Sequence, residues 1–223
     1  MKNLRFMSRF VALLILALAF VGFVAAPVSH ADYRKLLKAP DGYIKKTQYL
    51  DVRERARAEH GKGYDKHPSQ NVRDWYADVM SVSNADRVTQ LQHIFAVTKA
   101  RMEYRAERAD VWSTPGESIE RGYGDCDDFT AAFLVAAVML KFERSGLWFV
   151  AGTVNTQAGK IGHAVAMVRL EDGSGYVLDN RARRVMSENE YSLLDPVYGV
   201  NVAEGAVWGG VLLDKEGKPR KAY

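Results

Sequence analysis

The chain has almost no cysteine. Of its 223 residues only Cys126 is one, which excludes any disulfide within the chain. Proline is scarce too, at six residues, so nothing reads as a proline-rich linker. There is no internal repeat. There is also little excess charge once the N-terminus is set aside. Lys2, Arg5 and Arg9 precede an apolar run from Val11 to Ala26, and Ser29-His30-Ala31 supplies small residues at a cleavage site. This is the pattern of a secretory signal peptide, and the run is shorter than the roughly 20 residues a membrane span needs. No cysteine follows the run, which excludes a lipoprotein. Residues 1–31 hold three of the 31 basic residues and none of the 27 acidic ones. Cleavage near Ala31 leaves 28 basic against 27 acidic residues, so the pI near 9.1 is largely a property of the leader. Nothing in that balance points to nucleic acid. The chain is expected to be exported, and about 190 remaining residues suit one globular domain.

A lone thiol in an exported chain has two readings. One is an inert buried cysteine; the other is a reactive or intermolecularly pairing thiol. Its neighbours favour reactivity. Gly122-Tyr123-Gly124-Asp125-Cys126-Asp127-Asp128-Phe129 places two glycines before Cys126 and three carboxylates around it. Asp125 is a good helix N-cap, and the run from Phe129 to Leu140 is apolar nearly all round, as a fully buried helix would be. Cys126 then falls in the first turn, where unpaired N–H groups and the helix dipole favour a thiolate. A buried helix with a thiol at its N-terminus is the papain-type placement of a nucleophile.

The rest of the chain reads in order. Residues 32–69 form a basic arm with weak periodicity, in which Gly61 and Gly63 break any helix; its charges suit either a solvated surface or a docking surface. The domain proper spans 70–223. Val72, Trp75, Tyr76 and Val79 recur at helical spacing, and a second helix runs from a cap at Asn84 to about Met102. Pro115 to Arg121 makes a short helical turn. Trp112 lines a cleft or joins the core. After the central helix the period changes to that of strands: Leu147–Val154, Ile161–Leu170, Tyr176–Asp179, and a further strand from Val207 to Leu213. Helices first and an antiparallel sheet after them define an α+β fold.

A thiol nucleophile needs a base, and the base an orienting group. His30 leaves with the leader, His60 and His67 sit in the arm, and His93 lies within a helix. His163 opens a strand after Gly162, and Asp179 ends the next, so the two share one end of the sheet. A two-residue turn at Asp172-Gly173 would pair Ala182 with His163, and a different turn or a bulge is needed to bring Asp179 across. The spacing permits a Cys126–His163–Asp179 triad without requiring it.

Trp112-Ser113-Thr114-Pro115, Gly124 to Phe129, Gly162-His163-Ala164-Val165, Val177-Leu178-Asp179-Asn180 and Pro196-Val197-Tyr198 together resemble the bacterial transglutaminase-like cysteine proteinases, the LapG-type periplasmic proteases. The resemblance covers about Leu91 to Trp208; the basic arm has no counterpart in it. It implies a papain-like, transglutaminase-like core. It also implies a cysteine endopeptidase with Cys126 as nucleophile, His163 as base and Asp179 as orienting group. The substrate it implies is an exported protein, in relatives a large surface adhesin whose release bears on biofilms. Its regulator is an inner-membrane receptor that answers to cyclic-di-GMP. Amine transfer by the same triad, true transglutaminase chemistry, and a non-catalytic binding module on the same fold are the rival readings.

Asp125, Asp127 and Asp128 crowd the thiol with negative charge, which raises its pKa and opposes activation. A bound cation would offset that charge, and all-oxygen donors on a flexible loop select calcium. The resemblance implies calcium at this segment, most directly at Asp125. Plain N-terminal capping is the competing role of the three carboxylates.

Overall fold

The computed structural model describes residues 48–106, 112–202 and 207–208. The leader and the first part of the arm lie outside the described residues, as does most of the strand expected at 207–213. Helix α1 (Gln48–Lys62) is followed by a 3₁₀ turn (Tyr64–Lys66), α2 (Gln70–Met80) and α3 (Arg87–Arg101). Next come β1 (Glu103–Tyr104), α4 (Pro115–Arg121), β2 (Tyr123–Gly124) and α5 (Cys126–Met139). The C-terminal half is strands: β3 (Leu147–Thr156), β4 (Gly159–Arg169), β5 (Gly175–Leu178), β6 (Met186–Ser187), β7 (Asp195–Asn201) and β8 (Val207–Trp208). They form one antiparallel sheet in the order β6-β5-β4-β3-β7-β8, while β1 and β2 pair in parallel. The α+β class expected from the sequence is the one observed.

The buried helix is α5. Phe129, Ala132, Phe133, Leu134, Ala136 and Ala137 are all buried, packed with Val72, Trp75 and Leu91 on the helical side and Phe149, Ala164, Ala166 and Val168 on the sheet. Each large side chain so buried contributes about 1.5–3 kcal/mol. Small residues on β4 let α5 approach closely. A second cluster of Val150, Val154, Val165, Met167, Val177, Tyr191 and Leu194 alternates with the first along β3 and β4, so both faces of the sheet centre are covered.

The arm reading needs correction. Its second part is a helix that passes through Gly61 and ends at Lys62, with Gly63 at a φ of 86° turning the chain away. Polar anchors, not an apolar stripe, hold it: Arg55 donates to the Trp112 carbonyl oxygen at 2.7 Å and to Glu117, and Glu59 reaches α4. The cap of α3 is Asp86, which accepts from the Thr89 N–H at 3.0 Å, two residues beyond the expected Asn84. His93 is structural, its Nε2 2.8 Å from the Asp78 carbonyl oxygen. Trp112 stacks on Phe149 with ring centres 5.1 Å apart, against the core.

Candidate active site

Two successive helix caps place Cys126. Thr114 accepts from the Glu117 N–H while Glu117 accepts from the Thr114 N–H at 2.7 Å, a capping box with Pro115 in the first turn. Helix α4 stops at Gly122, whose φ of 76° suits glycine. Three residues later Asp125 caps α5, accepting from the Asp127 N–H at 3.3 Å, and Asp128 reaches back to the Asp125 N–H at 3.3 Å. A Cβ on Gly124 would overlap the Asp128 carboxylate, so glycine there is what lets Asp128 fold back over the chain.

His163 and Asp179 meet, and the register explains how. The β4–β5 pairing sets Ala166 opposite Leu178 and Met167 opposite Val177, one residue from the register a two-residue turn would give. The chain turns instead over Leu170–Ser174, with Gly173 at a φ of 84°. A one-residue slip exchanges the faces of a strand. In the expected register Asp179 faces away from His163; in the observed one, carried a residue past β5, it falls on the same face. His163 Nε2 lies 2.8 Å from Asp179 Oδ1, and the pair is buried at 6% and 1% exposure.

Two further donors hold the Asp179 carboxylate: the Arg181 N–H at 2.9 Å and the Tyr191 hydroxyl at 2.8 Å. Burial alone would push its pKa up. The hydrogen bond and charge of His163, with those two donors, outweigh it and hold the carboxyl below its ordinary value. An ionised carboxylate only accepts, so Nε2 carries the proton and Nδ1 is left as the basic nitrogen. Tyr191 has no signal in the sequence: it stands 12 residues beyond Asp179 in a turn-rich stretch.

The backbone N–H of Ala164, the residue after His163, reaches the Cys126 thiol. The thiol therefore lies close to β4 at Ala164. Burial first, then Asp125 and Asp127, push its pKa up to about 12. One ligand atom from each of Asp125, Cys126 and Asp127 lies within 4.8 Å of the others. Burial and the hydrogen-bonded, like-charged Asp125, with Asp128 behind it, raise the Asp127 carboxyl. Asp128, expected as a third metal ligand, does not join this group. Its carboxylate accepts from Arg121 at 2.9 Å, Ser118 Oγ at 3.0 Å, and the Ser113 and Asp125 N–H groups, which makes it a capping and ion-pairing residue.

The two remaining carboxylates fit a hard cation. They offer only oxygen, their ligand atoms stand within 4.8 Å of each other, and burial with the neighbouring Asp125 raises the Asp127 carboxyl. An apolar cavity of about 280 Å³, lined by Ala56, His60, Leu134, Val138 and others, lies elsewhere along α5 and includes neither Cys126, His163 nor Asp179.

A thiol at the N-terminus of a buried helix packed on an antiparallel sheet, and a buried histidine–carboxylate pair on that sheet, are the parts a thiol peptidase uses. Residues 59–195, more than half of the chain, match the family model of the bacterial transglutaminase-like cysteine proteinases (BTLCP), and the chain belongs to that family of cysteine peptidases. The match begins within α1 and takes in its last turn, from Glu59 to Lys62. Among solved structures, Legionella pneumophila LapG is similar with a TM-score of 0.56 and 18% identity, over 76% of this chain and 88% of that one. Its calcium-bound form gives 0.56 and 19% over 72% and 86%. Its EGTA-treated form gives 0.55 and 17% over 72% and 84%. These are likenesses of fold. A comparison with curated proteins finds no match.

Proposed function

We propose that the protein is an exported endopeptidase that cleaves peptide bonds in exported or surface proteins through Cys126, His163 and Asp179. The observation that carries this reading is the buried His163–Asp179 pair, next to the Ala164 N–H that reaches the thiol. Cys126 Sγ attacks the scissile carbonyl carbon and its proton passes to His163 Nδ1. Asp179, accepting from Nε2, fixes that tautomer and stabilises the imidazolium. The Cys126 N–H, at the start of α5, donates to the oxyanion. His163 returns the proton to the leaving amine, and water then hydrolyses the thioester with His163 as base.

A thiol with a pKa near 12 is a poor nucleophile at neutral pH, so the site as it stands is under-activated. Asp125 and Asp127 are the residues that would hold calcium, and calcium bound there supplies positive charge beside the thiol. The calcium-bound and EGTA-treated forms of the Legionella protein support this reading. The family resemblance extends it to periplasmic location, to a large surface adhesin as substrate and to a cyclic-di-GMP-regulated inner-membrane receptor as partner.

The test is to incubate the mature protein with exported proteins and sequence new N-termini, with Cys126→Ala as control. New N-termini absent from the control are expected. Products that gain an amine instead of water identify transglutaminase chemistry, and full activity in Cys126→Ala overturns the mechanism.

A further inference from the structure

Glu59 sits on α1, far in sequence from the nucleophile, and with Arg55 ties that helix to the rest of the domain. Its Oε2 accepts from the Gly116 N–H at 3.0 Å and from the Tyr64 hydroxyl at 2.9 Å, and its Oε1 accepts from Thr114 Oγ1 at 3.0 Å. His67 Nε2 stands 3.9 Å away, and the Glu59 side chain is 17% exposed. The receiving end is built for it: a Cβ on Gly116 would overlap the Glu59 carboxylate. Tyr64 is a permanent donor, because burial and then the charge of Glu59 hold its phenol well above the ordinary range. One carboxylate thus binds both the cap residue and the second residue of α4.

From α4 the connection continues to the thiol. Ser118 and Arg121 on that helix both donate to Asp128. Asp128 accepts from the N–H of Asp125, the cap of α5. Cys126 is the next residue. A helix of seven residues with a hydrogen-bonded box at one end and an αL glycine at the other is stiff, so a shift at Thr114 and Gly116 is carried to Asp128.

We propose that Glu59 is a positioning residue for the nucleophile: by fixing the start of α4 it sets, through Ser118, Arg121 and Asp128, where the cap of α5 holds the Cys126 thiol. The inference rests on the reading of Cys126 as nucleophile. Helix α1 is accordingly part of the catalytic unit and not a separable arm.

The test uses the mature chain with Glu59→Ala and Glu59→Gln. It reads kcat and KM on a peptide substrate and the rate of Cys126 alkylation by iodoacetamide across pH, both well below unfolding, and separately the thermal midpoint. Misplacement by a fraction of an ångström costs about 10–100-fold in kcat, so Glu59→Ala is expected to lose that much with KM within about twofold. Cys126 alkylation should change in rate and in pH midpoint alongside. Glu59→Gln keeps the volume and one acceptor, and should recover at least a third of the loss on a logarithmic scale. A lowered thermal midpoint with kcat and the alkylation profile unchanged would reduce Glu59 to a stabilising contact and overturn the inference. Should Glu59→Ala fail to fold, Glu59→Gln decides: wild-type kcat and alkylation in that variant overturn it equally. Activity surviving in Cys126→Ala removes the underlying nucleophile reading instead, which the Glu59 variants alone do not.

Discussion

Two groups of carboxylates, one beside His163 at the end of β5 and one around the thiol at the start of α5, behave in opposite ways. Asp179 is surrounded by donors: His163, the Arg181 N–H and the Tyr191 hydroxyl. Its carboxyl is held below its ordinary value despite burial. Asp127 is buried nearly as well, but its neighbours are Asp125 and Asp128, and its carboxyl is raised. Asp128 accepts from Arg121, Ser118 and two backbone N–H groups, yet burial, with Asp125 adding to it, still raises it. Burial by itself therefore says nothing about the charge a carboxylate carries; the count and sign of its partners decide. The first group is complete as it stands and suits a fixed ionised orienter. The second is short of positive charge, which is why a cation site is proposed there and not at Asp179.

The sharpest way to break that contrast is Asp179→Asn. The amide keeps the shape but can donate, so Nε2 is no longer required to carry the proton and Nδ1 loses its role as base. A loss of up to about 10⁴-fold in kcat is expected, as for the corresponding change in a serine triad, with KM little changed and the far-ultraviolet spectrum intact. Turnover within threefold of wild type would show that Asp179 does not orient His163.

The acidic cluster predicts a pH signature of the opposite sign. A carboxyl whose folded pKa is raised above its unfolded value of 3.8 stabilises the fold fully only below that value. This stability is lost as pH rises through the folded pKa, because the unfolded chain then binds fewer protons than the native one. Calcium-free protein should thus lose thermal stability with rising pH through the Asp127 titration. Calcium should flatten that fall and raise the thermal midpoint by at least about 2–4 °C, the shift expected for each kcal/mol in a domain of this size. Magnesium should do less, since it demands a stricter octahedron and gives up its water reluctantly. Asp127→Asn should abolish both the slope and the calcium response, read by calorimetry with and without EGTA. A thermal midpoint indifferent to chelation and to this substitution would leave Asp125 and Asp127 as capping carboxylates.

What could be read from the sequence was what neighbouring residues decide among themselves. The cap at Asp125, the short helix from Pro115 to Arg121 and the apolar face of α5 all follow from contacts within one or two turns, so their residues sit close together in the chain. Elements held from a distance were not legible. Helix α1 shows no apolar periodicity because Arg55 and Glu59 bind it through polar contacts 55 to 62 residues away. Strand β7 begins with Asp195-Pro196 and was missed; it pairs with β3 across a bulge at Ala151/Gly152, where Gly152 admits the Asp195 backbone. The meeting of His163 and Asp179 was legible as two residue types at one end of a sheet. Its alignment was not, because one residue in the Leu170–Ser174 turn decides which face Asp179 takes.

The smallest effect sharpens the contrast most finely. Tyr191→Phe removes one donor from Asp179 and leaves His163 and the Arg181 N–H in place. The phenyl ring keeps its place with Val165, Met167 and Val177, so packing is conserved and the change is almost purely one hydrogen bond to a charged group, worth about 1.5–3 kcal/mol. Asp179 should then titrate at higher pH. A carboxyl whose folded pKa is depressed contributes stability that is present above its unfolded value and lost as pH falls through the folded one. With Tyr191→Phe that acid loss should set in earlier, and the acid limb of kcat/KM should move up in pH. Near neutrality Asp179 stays ionised by its remaining donors, so kcat should fall by no more than about tenfold, far less than in Asp179→Asn. An acid limb that does not move would mean that Tyr191 only packs against Asp179. A loss as large as that of Asp179→Asn would mean that the hydroxyl, and not the His163 bond, is what keeps the carboxylate ionised.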